Sequence, residues 1–86
     1  MIVFSDHARW QVARRGLDEN SVRLVAEAPE QVEVVRAGRE VRQKRMLLPK
    51  GGELTLLRVV VDLDAETETI VTAYQTSKIM KYWRTP

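Results

Sequence analysis

The side chains best suited to chemistry in this 86-residue chain include its only histidine and several arginines. His7, Gln11 and Arg15 follow one another at intervals of four residues, with Arg14 beside the last of them. In a helix this spacing places the three side chains along one stripe. An imidazole exchanges protons near neutral pH, and a guanidinium can hold a phosphate by two parallel hydrogen bonds. The stripe indicates either a catalytic, phosphate-binding row or an ordinary solvated helix surface.

The other residue types limit the kinds of reaction that this chain could catalyse. The chain has no cysteine, which excludes thiol catalysis, and one histidine with scattered carboxylates gives no metal-ligand set. Metal-independent RNA cleavage fits, because the RNA 2′-hydroxyl is the nucleophile and the protein supplies only proton transfer and cations. A single histidine cannot act as acid and base together. We therefore expect His7, Arg15, Lys78 and Tyr82 to be catalytic, with no metal and no cofactor.

Positive charge is unevenly distributed, although the net charge is only +2. Six lysines and arginines lie within residues 36–50 beside a single acid, Glu40, and the C-terminal residues are basic too. Such a sector suits a polyanion such as RNA, or an acidic protein. The alternative is that charges on an edge strand prevent aggregation, and that Arg58 pairs with an acid. The RNA-binding candidates are Arg14, Arg42, Lys44, Arg45, Arg58 and Lys81.

Length and hydropathy place the chain among small globular proteins. Eighty-six residues form one domain, and 44% hydrophobic with 30% charged residues are typical of a folded chain. No apolar run reaches bilayer length, and the N-terminus lacks the pattern of a signal peptide. We expect a single domain over residues 1–86, cytoplasmic and without a membrane partner.

Two short helices are predicted in the N-terminal third. Ser5 is a suitable N-cap for the first helix, and Gly16 can end it in a left-handed conformation. Asp18 is a suitable N-cap for the second, which Pro29 must end. The apolar stripe of the second helix is Val22, Val25 and Ala26.

From Glu30 onwards the pattern alternates, as in strands. Four strands are expected, at residues 31–36, 39–48, 54–63 and 69–76, with the apolar third strand in the centre. A hairpin turn is expected at Ala37-Gly38, and a loop at residues 49–52. Residues 1–4 are either an edge strand or a lead-in to the first helix. Short links predict an antiparallel meander, and hence an α+β domain with two N-terminal helices on a four-stranded antiparallel sheet.

The C-terminal residues 77–83, SKIMKYW, combine apolar, aromatic and basic side chains. Ile79, Met80, Tyr82 and Trp83 need a surface to cover them, so we expect this segment to dock on the sheet or on a partner. Tyr82 and Trp83 then serve either as packing anchors or as stacking groups for nucleobases.

The order of several short motifs resembles a bacterial family of small domains, DUF4258. The motifs are an S-x-H-A opening, an R-G-hydrophobic helix end and a closing strand of the form V-T-x-Y. They correspond here to Ser5, His7, Ala8, Arg15, Gly16, Leu17, Val71, Thr72 and Tyr74. That family is similar to the RelE and BrnT type toxins of bacterial toxin-antitoxin systems. The resemblance implies a RelE-like or barnase-like toxin fold, metal-independent RNA cleavage, His7 and Arg15 as site residues, and inhibition by an antitoxin.

The leading hypothesis is thus a metal-independent endoribonuclease or toxin-like RNA-binding domain, acting on free or ribosome-bound RNA. It requires His7 and the cations of the later strands, Arg45 and Lys78 among them, to converge on one concavity. Two alternatives stay open. One is a non-catalytic module of the same fold that binds an acidic protein or a second copy, and the other is nucleic-acid binding without cleavage.

Overall fold

In the computed structural model, which describes residues 1–47 and 52–85, the described residues form three helices and five strands. Their order is β1 (Ile2–Phe4), α1 (Asp6–Arg14), α2 (Glu19–Glu27), β2 (Gln31–Arg36), β3 (Arg39–Leu47), β4 (Leu54–Leu63), β5 (Glu68–Thr76) and α3 (Ile79–Tyr82). The α+β class is therefore confirmed. No helix within these described ranges is long and apolar enough to cross a membrane.

The helix boundaries follow from the predicted caps. The Ser5 hydroxyl accepts a hydrogen bond from the Ala8 backbone N–H at 3.0 Å, and Asp18 accepts likewise from Ser21 at 3.2 Å. Both bonds satisfy N–H groups that the first turn of a helix leaves unpaired. Beyond α1, Gly16 takes the predicted left-handed conformation, with φ of 66°. Gly16 and the Asp18 cap make the short connection between the helices.

The sheet differs from the predicted one. It has five strands in the order β1-β5-β4-β3-β2, and β1 pairs with β5 in parallel, so that the sheet is mixed rather than four-stranded and antiparallel. The four later strands do form the expected antiparallel meander, with β4 in the centre. A three-residue strand is too short to show alternation, and its partner lies far along the chain. The sequence pattern therefore could not decide whether residues 1–4 form a strand.

Of the two predicted turns, the structure describes one in full and the other in part. A turn occupies Ala37-Gly38, where Gly38 has φ of 82° and its carbonyl accepts a hydrogen bond from the Leu63 N–H. Only a glycine adopts such a φ without steric cost. Of the loop predicted at residues 49–52, residues 49–51 lie outside the described part of the chain.

One face of the sheet, the helix face, packs against α1 and α2. Successive residues of a strand point to opposite faces, and Leu57, Val59 and Val61 of β4 point to this one. The helices contribute fully or almost fully buried residues to the same core, namely Ala8, Val12, Val22, Val25 and Ala26. The predicted stripe of α2 is thereby confirmed.

The opposite face of the sheet, the tail face, carries the C-terminal residues 77–85. It includes Leu56 and Arg58 of β4, which alternate with the core residues and are themselves 0% and 6% exposed. Their burial shows that this face is covered as well. The expected docking of the C-terminal segment on the sheet is confirmed.

Candidate nucleic-acid interface

The C-terminal segment crosses the tail face from the centre of the sheet to the β2 edge. Tyr82 lies over Arg58 of β4, and its carbonyl accepts a hydrogen bond from Gln43 of β3 at 3.3 Å. At the far end, the Arg84 carbonyl accepts a hydrogen bond from the side chain of Gln31 at 2.7 Å. Three strands thus fix the position of the segment, although α3 itself is only one turn long.

Arg58 is the most buried cation of this face. Its Cζ lies 4.1 Å from the centroid of the Tyr82 ring. Its Nε donates to Gln43 Oε1 at 3.0 Å and its Nη1 to the Tyr74 hydroxyl at 2.5 Å, while Nη2 lies 3.5 Å from a carboxylate oxygen of Glu33. A guanidinium is buried favourably only when such partners replace water. The alternative that Arg58 pairs with an acid is confirmed, and the same contacts place its charge under an aromatic ring.

Arg45 forms a second stacked pair on the tail face. Its Cζ lies 4.3 Å from the centroid of the Trp83 ring, and its guanidinium binds both carboxylate oxygens of Glu30, at 3.3 Å and 3.0 Å. The hydrogen bonds from Arg45 lower the pKa of Glu30 below its ordinary value of 4.5. The ion pair therefore persists at neutral pH, and it holds the guanidinium against the indole ring.

A groove of about 820 Å³ runs beside this second pair. Its lining combines apolar and basic side chains, among them Arg45, Leu54, Lys78, Ile79, Lys81 and Trp83. Lys78 and Lys81 are exposed, and neither forms an ion pair with any residue that the structure describes. The groove thus offers two available ammonium groups next to an aromatic surface.

His7 and Arg14 lie in the other layer of the molecule. Both belong to α1, where the His7 ring is exposed and stacks on Trp10 with the ring centroids 6.0 Å apart. Arg14 lies over the same indole at 5.1 Å. The sheet therefore separates them from Arg45 and Lys78, and the predicted convergence on one concavity is not found. Helical spacing placed His7 and Arg15 on one stripe, but it could not tell on which side of the sheet the helix packs.

Arg15 takes an intermediate position, at the outer edge of β5. Its Nη1 donates to the Ala73 carbonyl at 2.7 Å and to the Thr72 hydroxyl at 3.3 Å. The short β1 pairs only with residues 68–70 of β5, and Arg15 satisfies a carbonyl of the uncovered part. It anchors α1 to the sheet, and it does not join the cations of the tail face.

Two cations of the basic sector point away from the tail face. Arg42 and Lys44 alternate with Arg45 along β3, which places them on the helix face. Arg42 is bound there by Glu40 at 2.8 Å, by Glu68 at 2.5 Å and by the Ala26 carbonyl at 2.7 Å. It links α2 to the sheet. Of the ten predicted site residues, five share the tail face: Arg45, Arg58, Lys78, Lys81 and Tyr82.

Three further residues of this face lie outside the ten predicted site residues, although Tyr74 was singled out as the tyrosine of the V-T-x-Y motif. Gln43, Glu33 and Tyr74 all contact the Arg58 guanidinium. Gln43 and Tyr74 are the cross-strand partners of Arg58 on β3 and β5. An arginine inside an apolar strand was a signal that polar partners must lie beside it, but naming them requires the strand register.

The arrangement can bind anions and transfer protons. It holds two stacked guanidinium groups, two exposed ammonium groups and the tyrosine hydroxyls, and the described residues contain no group of three or more His, Cys, Asp or Glu side chains placed to hold a metal. Guanidinium and ammonium groups stabilise phosphate charge, and aromatic rings stack on bases.

Comparison with known proteins gives the family and no further relative. No curated protein matches the chain, and no solved structure does. Residues 4–75 match the family model described as a domain of unknown function, DUF4258. The match covers most of the 86 residues and contains the helices α1 and α2 and nearly the whole sheet. The chain is therefore a member of the DUF4258 family.

Proposed function

We propose that the domain binds RNA on its tail face and cleaves it without a metal ion, as would be expected of a toxin of the RelE or BrnT type. One observation carries the proposal. Two cation–aromatic pairs, Arg58 with Tyr82 and Arg45 with Trp83, lie on one sheet face next to two lysines that have no acidic partner among the residues the structure describes. The nuclease hypothesis required His7 to lie beside these cations, and it does not. The proposal therefore assigns RNA binding and both proton transfers to the tail face, and no role to α1.

Binding would begin with the phosphates. Lys78 and Lys81 carry charge that no described acid neutralises, so an incoming phosphate replaces only water and counterions there. The groove beside them contains the Trp83 ring, whose position Arg45 fixes. Aromatic rings of this kind stack on bases of any sequence. An unpaired RNA strand, with its bases accessible, suits the groove better than a duplex does.

Cleavage requires two proton transfers. The 2′-hydroxyl loses its proton as its oxygen bonds to phosphorus, and the leaving 5′-oxygen gains one as its bond to phosphorus breaks, which yields a 2′,3′-cyclic phosphate. We assign these transfers to Lys78 and Tyr82: the Lys78 ammonium donates a proton to the leaving 5′-oxygen, and the Tyr82 hydroxyl passes the proton of the 2′-hydroxyl on to water. Lys81 and Arg45 stabilise the extra negative charge of the pentacoordinate phosphorus. Arg58 is a positioning residue, because its contacts hold the Tyr82 ring.

The test is an RNA cleavage assay with purified protein in EDTA. Single-stranded RNA and ribosome-bound RNA are incubated with the wild-type protein and with Tyr82→Phe, Lys78→Gln and His7→Gln. The first two variants are expected to lose roughly a hundredfold or more in rate, since each removes a proton-transfer group. His7→Gln is the matched control, and it should cleave as the wild type does because His7 lies beyond the sheet.

Three outcomes would contradict the proposal. These are no cleavage by the wild-type protein on either RNA, equal cleavage by Tyr82→Phe and Lys78→Gln, and a loss of activity confined to His7→Gln. Growth inhibition on expression should follow the same order of variants. An antitoxin that inhibits the activity is expected to cover the tail face.

A non-catalytic interaction module is the second candidate. The specific observation in its favour is that Arg45 and Arg58 already have acidic partners, Glu30 and Glu33. A guanidinium bound in this way stabilises the fold and is less available to a substrate. This reading predicts stable binding of an acidic protein through the exposed Lys78 and Lys81, without RNA cleavage and without toxicity.

A further inference from the structure

The outer edge of β2 is not paired with any strand that the structure describes. β2 is the last strand of the sheet and pairs with β3 alone. Three of its residues are exposed valines, with exposed fractions of 44% for Val32, 70% for Val34 and 54% for Val35. An exposed apolar edge strand is a template for pairing with another strand. The opposite edge of the sheet is different, since β1 and Arg15 cover parts of β5.

We propose that β2 pairs in antiparallel orientation with β2 of a second copy of this chain. A symmetric dimer uses the same surface on both copies, so a residue i that meets residue j is matched by j meeting i. An edge strand is suited to this arrangement, because its outward backbone N–H and C=O groups can form the same hydrogen bonds with an identical strand. The two five-stranded sheets then become one continuous sheet.

The charges of β2 select one register. When Val34 lies opposite Val35 of the second copy, Glu33 lies opposite Arg36 of the second copy, and symmetry repeats both pairs. Arg36 forms no ion pair with any residue in the described part of its own chain. Glu33 already binds Arg58 and Arg84 of its own chain, so the new pair adds a third cation to that carboxylate. Sliding the strands by one residue in either direction places Glu33 opposite an uncharged side chain. Cross-strand pairs of opposite charge stabilise a sheet, so this register is favoured.

The same register determines which faces meet. Glu33 pairs with Val41 within the sheet and Arg36 pairs with Arg39, and both of these β3 residues point to the tail face. Glu33 and Arg36 therefore point to the tail face too. The dimer places both tail faces on one side of the joined sheet. This inference does not depend on RNA binding, although it would give bound RNA one continuous surface.

The expected association is weak. A single strand pair buries less area than the roughly 1,200 Å² below which complexes are usually transient. We therefore expect a monomer–dimer equilibrium in the micromolar range or weaker. The bulge between Val34 and Arg36 shortens the stretch of regular pairing, which also weakens the association.

The test is sedimentation velocity of the full chain over a concentration series up to about the millimolar range. The variants are Val34→Lys, which adds a charge to the apolar centre, and Arg36→Glu, which makes both symmetric ion pairs repulsive. Each should raise the dimer dissociation constant roughly tenfold or more. Leu24→Lys, at a site on α2 with 48% exposure, is the matched control and should leave it unchanged. All three sites are exposed, and circular dichroism checks that each variant folds.

Two results would overturn the inference. One is a wild-type chain that stays monomeric over the whole series, which is also the result expected if the strand of another protein occupies this edge. The other is a dimer that both edge variants retain.

Discussion

At the scale of single residues, Arg58 shows how one buried charge organises a surface. Its guanidinium has an amide, a hydroxyl, a carboxylate and an aromatic ring as neighbours, contributed by β2, β3, β5 and the C-terminal segment. The partners replace the water that burial removes, and the guanidinium in turn holds each partner in position. The tail face therefore depends on this residue for its geometry as well as for its charge.

Replacing Arg58 with glutamine should be strongly destabilising. The shorter neutral side chain leaves Gln43 and the Tyr74 hydroxyl without their donor, and it releases the Tyr82 ring. Losing one partner of a buried polar network costs about 2–4 kcal/mol. Urea unfolding monitored by circular dichroism would show the loss as a lower midpoint. Arg58→Lys should recover only part of it, and full recovery by lysine would contradict the role of the planar guanidinium.

The Glu30–Arg45 pair predicts a pH dependence of stability. The pKa of Glu30 is lower in the folded protein than its ordinary value of 4.5, chiefly through the hydrogen bonds from Arg45. A lowered folded pKa means stability that is present above 4.5 and is lost as the pH falls through the folded pKa. Urea unfolding of the wild type and of Glu30→Gln should therefore show a difference at about pH 6 that shrinks toward about pH 3. A difference that stays constant with pH would contradict this account.

At the scale of elements, the caps and the strand edges explain how the helices are held. α1 begins at the Ser5 cap, which comes directly after β1, and Arg15 joins its other end to β5. A second contact, from the Thr72 hydroxyl to the Gln11 amide oxygen, lies one turn earlier. The helix is thus attached to the sheet through polar bonds at the strand edge and through Ala8 and Val12 in the core.

Replacing Ser5 with alanine should lower the free energy of unfolding by about 1 kcal/mol, the usual cost of losing an N-cap side chain. The bond lost is the one from the Ala8 N–H to the Ser5 hydroxyl. Thermal unfolding followed by circular dichroism would measure it. Ser77→Ala is the matched control, because the Ser77 hydroxyl forms no hydrogen bond with the described residues. Equal midpoints for Ser5→Ala and the wild type would argue against the cap.

At the scale of the whole molecule, the sheet separates two layers that differ in their side chains. The helix face holds most of the apolar core and buries Arg42 in ion pairs. The tail face holds the stacked cations and the groove. Cations that are neighbours in sequence, such as Lys44 and Arg45, therefore face different surroundings. A polyanion on the tail face should interact with Arg45 and not with Lys44.

The proposed RNA binding on the tail face predicts a salt dependence that differs between cations of the two faces. If single-stranded RNA contacts Lys78 and Lys81, each replacement by glutamine should weaken binding and reduce the slope of log affinity against log salt by about 0.7, the value for one phosphate contact of a single strand. Lys44→Gln removes the same charge on the helix face, so it should leave the slope unchanged. Fluorescence anisotropy with a labelled oligoribonucleotide measures all four proteins. Equal slopes for the three variants would contradict RNA binding at the groove.

The amino-acid sequence by itself determined the local structure of this protein. The caps at Ser5 and Asp18, the turn at Gly38 and the alternation of the later strands depend on interactions within a few residues, so they could be inferred without coordinates. The antiparallel meander and the docked C-terminal segment followed from short links and uncovered aromatic residues. The family could also be identified from the order of motifs.

Only the tertiary structure decided which residues share a surface. The parallel pairing of β1 with β5 joins residues from opposite ends of the chain, and three residues carry no periodic signal. The side of the sheet on which α1 packs separates His7 from Lys78, and the register of β3, β4 and β5 places Gln43 and Tyr74 beside Arg58. Spacing along the chain determines which way a side chain points from its own element. Its neighbours across the sheet depend on long-range pairing, which no local pattern contains.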